Sequence, residues 1–243
     1  MSVIDRASAA GLESIEWGSD VHVPAGCLAL ARDVGERTRA AGLAVCSYGS
    51  YLRFPWQTRE ENGSDVVATA QALRAPRIRV WAGPCGSAEA DEDTWAATTS
   101  ALHDVAVRAQ AAGIELAVEF HLATLADTAT STRRLLADIG LPTVSTYWQP
   151  RVGASDRDAL TDLDVLGEDV STIHVFSWGD QFERHPLRHR RALWRAAITR
   201  AVRLQGVTDL LLEFLPDDDA GLLPSEAAAL RDWLDTAMKG EAS

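Results

Sequence analysis

The chain has 243 residues, 47% hydrophobic and 24% charged, a balance that excludes a disordered polymer and supplies enough apolar side chains for one sizeable core. A net charge of -12 with a pI near 4.9 excludes a general polyanion binder, because phosphate contacts need clustered Lys and Arg. Cys27, Cys46 and Cys85 are odd in number and form no CxxC pair, which argues against a disulfide framework or a zinc ribbon, and no run approaches the roughly 20 apolar residues of a membrane span.

In chain order, Ile4 to Ala10 reads as a helix stopped by Gly11, and Ser14 to Trp17 as the first strand. Helix Ala29 to Ala41, capped by Gly42, leads to strand Leu43 to Ser47. The same unit then repeats. Helix Asp65 to Leu73 precedes strand Arg77 to Trp81, and helix Asp93 to Ala112, capped by Gly113, precedes strand Glu115 to Phe120. Helix Ser131 to Ile139 ends at Gly140 and Pro142 before strand Val144 to Trp148. Helix Asp158 to Leu166 precedes strand Val170 to Phe176, and helix Arg191 to Leu204, with Gly206, precedes strand Asp209 to Phe214. The last helix is Ser225 to Met238, with Ser225 as its N-cap.

Strands alternating with helices of this length imply parallel βαβ units, enough of them to close a ring. The expected fold is α/β, a (β/α)8 TIM-type barrel in one domain over residues 1–243. Only seven strands are evident, and because the chain opens on a helix the first strand is expected to be missing at the N-terminus. An open doubly wound sheet is disfavoured because no Gly-rich phosphate loop follows the first strand. The N-terminus lacks the basic and apolar pattern of a secretory signal, so a reducing cytoplasm is the expected setting. The basic stretch Arg184 to Arg195 has the size to serve one small anion, and nucleic acid is not an expected partner.

The chemistry is expected at strand ends. Alternation along strands sends Ala117, Glu119 and His121 to the barrel axis, with Arg79 and Trp81, His174, and Glu213 from their own strands. A carboxylate inside an apolar barrel must be paired, bound to a metal or kept protonated. Two carboxylates and an imidazole at neighbouring strand ends suit a divalent cation, whereas an ion pair between Glu119 and Arg79 is the structural alternative.

The phrases IEWGSDVHVP, YGSY, IRVWAG, VEFH, YWQP, HVFSW and LLEF together resemble the xylose-isomerase-like barrel superfamily of sugar and sugar-phosphate isomerases and epimerases. The resemblance implies four metal ligands at strand ends, Glu119, Gln149, His174 and Glu213, with the two glutamates as proton donor and acceptor. The family pattern has Asp at the second position and a His shortly after it; here Gln149 is followed by Pro150, Arg151 and Val152. One Mn2+, Mg2+, Co2+ or Zn2+ ion per site is implied, acting on a sugar, sugar phosphate or related polyol through an enediolate. Arg184 resembles the family arginine that reaches the anionic or hydroxyl-rich end of the substrate. Trp17, Trp81, Trp148 and Trp178 fall at or just beyond strand ends, where aromatic faces pack on sugar C–H surfaces. His22, Tyr48, Arg79 and His121 are further candidates for the same mouth. The rival functions are a non-catalytic carbohydrate-binding barrel and an apurinic-endonuclease-like metal hydrolase, the latter disfavoured by six histidines and the acidic charge. Oligomeric state is open, a homo-oligomer included.

Overall fold

The computed structural model describes residues 2–55 and 62–241. Two compact units make up the chain, Glu13–Tyr147 and Met1–Leu12 with Trp148–Ser243.

In the first unit, parallel strands follow one another in chain order: β1 (Ser14–Gly18), β2 (Ala44–Phe54), β3 (Arg77–Ala82), β4 (Glu115–Glu119) and β5 (Val144–Trp148), whose last residue opens the second unit. Each crossover carries one helix, α2 (Leu28–Ala40), α3 (Gly63–Leu73), α4 (Glu92–Ala111) and α5 (Ala129–Ile139). Ile78, Val80, Leu116 and Val118 of the central strands are buried, as are Val66, Ala70 and Leu73 of α3 and Leu102 and Ala109 of α4. Burying each large aliphatic side chain contributes about 1.5–3 kcal/mol.

All four of these helices begin one or two residues earlier than their apolar periods suggest, and in three of them a polar side chain caps the first turn. Asn62 accepts from the backbone N–H groups of Ser64 and Asp65, Asp91 from Thr94, and Thr128 from Ser131. Gly113 and Gly140 stop α4 and α5 with φ of 72° and 69°, a region that costs a side chain but not glycine. Strand β2 is much longer than the expected Leu43 to Ser47. It runs on through the buried side chains of Tyr48, Leu52 and Phe54, with a register shift between Gly49 and Arg53.

The second unit holds α1 (Val3–Ala9), α6 (Asp156–Leu166), β6 (Val170–Val175), β7 (Ser177–Trp178), β8 (Arg184–His185), α7 (Arg191–Ala201), β9 (Asp209–Leu212) and α8 (Leu223–Glu241). Strand β6 pairs with β9 in parallel, and β7 pairs with β8 as an antiparallel hairpin that alternation in the sequence does not announce. Helix α8 receives α1, where the Arg231 guanidinium donates to the carbonyl of Ala10 at 3.2 Å. Ser225 is not an N-cap. The helix begins two residues before it, and its hydroxyl donates back to the Leu222 carbonyl at 2.8 Å. Strand β9 stops at Leu212, which leaves Glu213 and Phe214 just past its end.

Seven parallel strands thus occur among the described residues, the number the sequence predicts. No helix among them is long and apolar enough to cross a membrane.

Candidate functional site

In the first unit a largely buried charged group lies on β1, β3 and β4, with Arg79 and Glu119 buried and Glu16 partly so. The Arg79 guanidinium forms an ion pair with Glu119 through Nη1 and donates from Nε to Glu16 Oε1 at 3.1 Å. Glu119, the last residue of β4, is only 3% exposed, and its Oε2 also accepts from the Trp81 indole N–H at 2.5 Å. Glu16 Oε2 accepts from the hydroxyls of Ser47 at 2.7 Å and Tyr147 at 3.0 Å. Burial first, then the Glu16 carboxylate, pushes the Tyr147 hydroxyl well above its ordinary value, so it stays a neutral donor. The backbone makes room for this group at Gly49, where a Cβ would come within 2.7 Å of both Arg79 Nη2 and Glu16 Oε1.

Glu16 does not stand out in the sequence, although a signal for it exists: it is the one charged residue of SIEWG, flanked by the buried Ile15 and Trp17. The same alternation removes Trp17 from the group. Trp17 is buried, and its indole N–H donates to Thr38 on α2 at 3.2 Å, so the ring faces the helix layer. His22 is exposed and makes an edge contact with Trp17 at 5.3 Å. Tyr48 is fully buried, its hydroxyl donating to the Val23 carbonyl at 2.7 Å. Trp17, His22 and Tyr48 therefore do not join Arg79 and Glu119.

Trp81 and His121 do belong beside this group. Their rings stack at 4.7 Å, and the Arg53 guanidinium lies 4.5 Å from the Trp81 ring centroid. His121 Nδ1 is 2.8 Å from the Leu122 carbonyl; because a carbonyl only accepts, Nδ1 carries the proton.

In the second unit three polar groups meet at the ends of β5, β6 and β9. His174 Nδ1 lies 2.8 Å from Gln149 Oε1 and 3.4 Å from Glu213 Oε2. The imidazole is 2% exposed and the Glu213 side chain 25%. An amide oxygen and a carboxylate oxygen thus approach one imidazole nitrogen, and this donor set suits a hard or borderline divalent cation. The pairing of His174 with Gln149 also satisfies the imidazole as a plain hydrogen bond.

Around Glu213 lies an aromatic cluster. Trp178 packs on Phe214 at 4.7 Å, Phe176 at 4.8 Å and Phe182 at 5.5 Å. Arg184 lies over the Phe214 ring at 4.7 Å and forms an ion pair with Asp218. Trp148 is outside this cluster: it is fully buried and meets Trp194 of α7 edge to face at 6.2 Å.

A family model described as a xylose isomerase-like TIM barrel matches residues 4–185. No curated protein is matched by the sequence. Among solved structures, a probable 3-DHS dehydratase, AsbF, of Bacillus anthracis is similar at 17% identity, with a TM-score of 0.79 over 95% of this chain and 94% of that one. D-psicose 3-epimerase of Clostridium cellulolyticum H10 is similar at 12% identity, with a TM-score of 0.65 over 96% and 92% of the two chains. A xylose isomerase-like TIM barrel protein of Mycobacterium smegmatis, solved in complex with magnesium, is similar at 14% identity, with a TM-score of 0.63 over 96% and 87%. At these identities the likeness establishes the fold and leaves the chemistry to the residues.

Proposed function

Because this chain belongs to the xylose isomerase-like TIM barrel family, we propose that it is a divalent-metal-dependent isomerase or epimerase of a sugar or related polyol. The family resemblance points to Glu119, Gln149, His174 and Glu213 as the ligands. The observation that carries the reading is the convergence of Gln149 Oε1 and Glu213 Oε2 on His174 Nδ1. The ion pair of Glu119 with Arg79 is the structural alternative for that carboxylate, and Arg53 also acts on it, so the reading rests on the trio around His174. Relatives of the same fold include an epimerase and a protein solved with magnesium.

When bound, the cation supplies Lewis-acid polarisation of neighbouring substrate oxygens. The proton transfers belong to the chain. Arg79 and the Trp81 N–H fix Glu119 in one orientation, which suits a carboxylate that takes a proton from a carbon beside a carbonyl. Glu213, whose side chain is a quarter exposed, would exchange a proton with solvent and return it. Return to the opposite face gives epimerisation, and return to the adjacent carbon gives aldose–ketose isomerisation. Trp81, Trp178, His121 and Arg184 are the proposed substrate contacts.

A second reading, a sugar-binding barrel without turnover, is favoured by the His174–Gln149 hydrogen bond, which needs no cation. Deuterium wash-in separates the two. With Mn2+ in deuterated water, the enzyme reading expects at least one ketose of a panel to gain deuterium next to its carbonyl. The binding reading expects a ligand that raises the melting temperature while no carbon exchanges.

A further inference from the structure

The second unit contains a cavity of about 320 Å³ that the proposed metal chemistry does not use. It lies between the segment that follows β5 and the segment that follows β6, and Trp178, Asp156, Asp180, His189 and Arg190 line it. Both segments leave the C-terminal ends of their strands, the end at which Gln149, His174 and Glu213 meet. Trp178 joins the two regions, since its ring lines the cavity and packs on Phe214, the residue after Glu213. The volume lies at the lower end of the roughly 300–1,000 Å³ typical of small-molecule sites.

The walls select against a phosphate. Arg190 donates to Asp156 Oδ1 from both Nε and Nη2, at 3.1 and 2.8 Å, and from Nη2 to the Ala154 carbonyl at 3.0 Å, so its fork and its charge are already matched. Asp180 adds a further carboxylate. Arg184, the other arginine of the basic stretch that approaches Trp178, is paired with Asp218. A small anion, which this stretch has the size to serve, would find its guanidinium groups occupied and carboxylates beside it. Hydroxyl groups fare better: Asp156 and Asp180 accept, His189 offers ring nitrogens, and an indole face suits C–H surfaces. The Trp178 N–H is buried and has no hydrogen-bond partner among the described residues.

We infer that this cavity is a subsite for a second, uncharged, hydroxyl-rich unit, and that the substrate is an extended saccharide and not a sugar phosphate. The inference rests on the proposed sugar chemistry at Glu119 and Glu213 for the position of the reacting unit. The cavity itself is tested separately from that chemistry.

Calorimetric titration of the full chain, with and without Mn2+, should compare fructose, fructose 6-phosphate, methyl α-glucoside and maltulose, a ketose that carries a glucosyl ring. Maltulose is expected to bind at least about tenfold tighter than fructose, and methyl glucoside is expected to bind without metal. His189→Ala and Trp178→Leu are each expected to bring the maltulose-to-fructose affinity ratio down toward one. Equal binding of maltulose and fructose, tighter binding of fructose 6-phosphate than of maltulose, or a ratio unmoved in both variants would each overturn the subsite. Glucoside binding in a protein indifferent to Mn2+ defeats the metal reading alone, whereas Mn2+ binding without glucoside binding defeats the subsite alone.

Discussion

Arg79→Met is expected to destabilise the chain by about 3–5 kcal/mol, because it leaves the buried Glu119 and the partly buried Glu16 without the cation they share. Both side chains of the Arg79–Glu119 pair are at least nine-tenths buried, so little solvent screens the loss. Ser47, Tyr147 and Trp81 would still donate hydrogen bonds to the carboxylates, but none of them supplies charge. The comparison is Arg200→Met, whose partner Asp164 is more than half exposed and whose ion pair contributes about 0–1 kcal/mol. Urea unfolding of the two variants gives the difference directly. Equal, small losses would mean that the Glu16–Arg79–Glu119 group does not hold the first unit together.

Glu213→Gln is expected to keep the melting temperature within a few degrees and to lower turnover by about 10²–10⁴-fold, the usual contribution of a positioned acid or base. The amide keeps the shape and an oxygen facing His174 Nδ1 but cannot carry a proton. The fold should tolerate the change, because the side chain is a quarter exposed and lies past the end of β9. Wash-in of deuterium from solvent should fall in parallel with turnover. Turnover within a few-fold of the parent would remove Glu213 from the proton path.

Alternation of helix and strand is a backbone-level pattern, and it makes the seven parallel strands legible. Side-chain parity picks out Arg79, Glu119 and His174 because a charged or polar residue inside an apolar strand has to find a partner. Proximity to a strand end is a weaker guide. Trp17 and Trp148 both stand near strand ends, yet each alternates with the polar residue that faces the functional group, Glu16 before Trp17 and Gln149 after Trp148, and both pack toward helices. Applied to β1, the parity rule selects Glu16 in place of Trp17. Tyr48 is a different failure, since a hydroxyl bonded to the Val23 carbonyl depends on a loop whose path no local pattern encodes. The β7–β8 hairpin and the aromatic cluster around Trp178 depend in the same way on long-range packing. Gln149 is the reverse case: the strand places it, but only the three-dimensional approach to His174 shows its amide oxygen beside the same imidazole nitrogen as the Glu213 carboxylate.

Metal binding tests the central claim most directly. Elemental analysis of the purified protein, followed by calorimetric titration with Mn2+, Mg2+, Co2+ and Zn2+, is expected to find a single divalent ion bound per chain. The ion should raise the melting temperature, and Gln149→Asp, which adds a charged oxygen beside His174, should tighten its binding by about tenfold. A protein that takes up none of the four ions, and whose melting temperature none of them moves, would contradict the account.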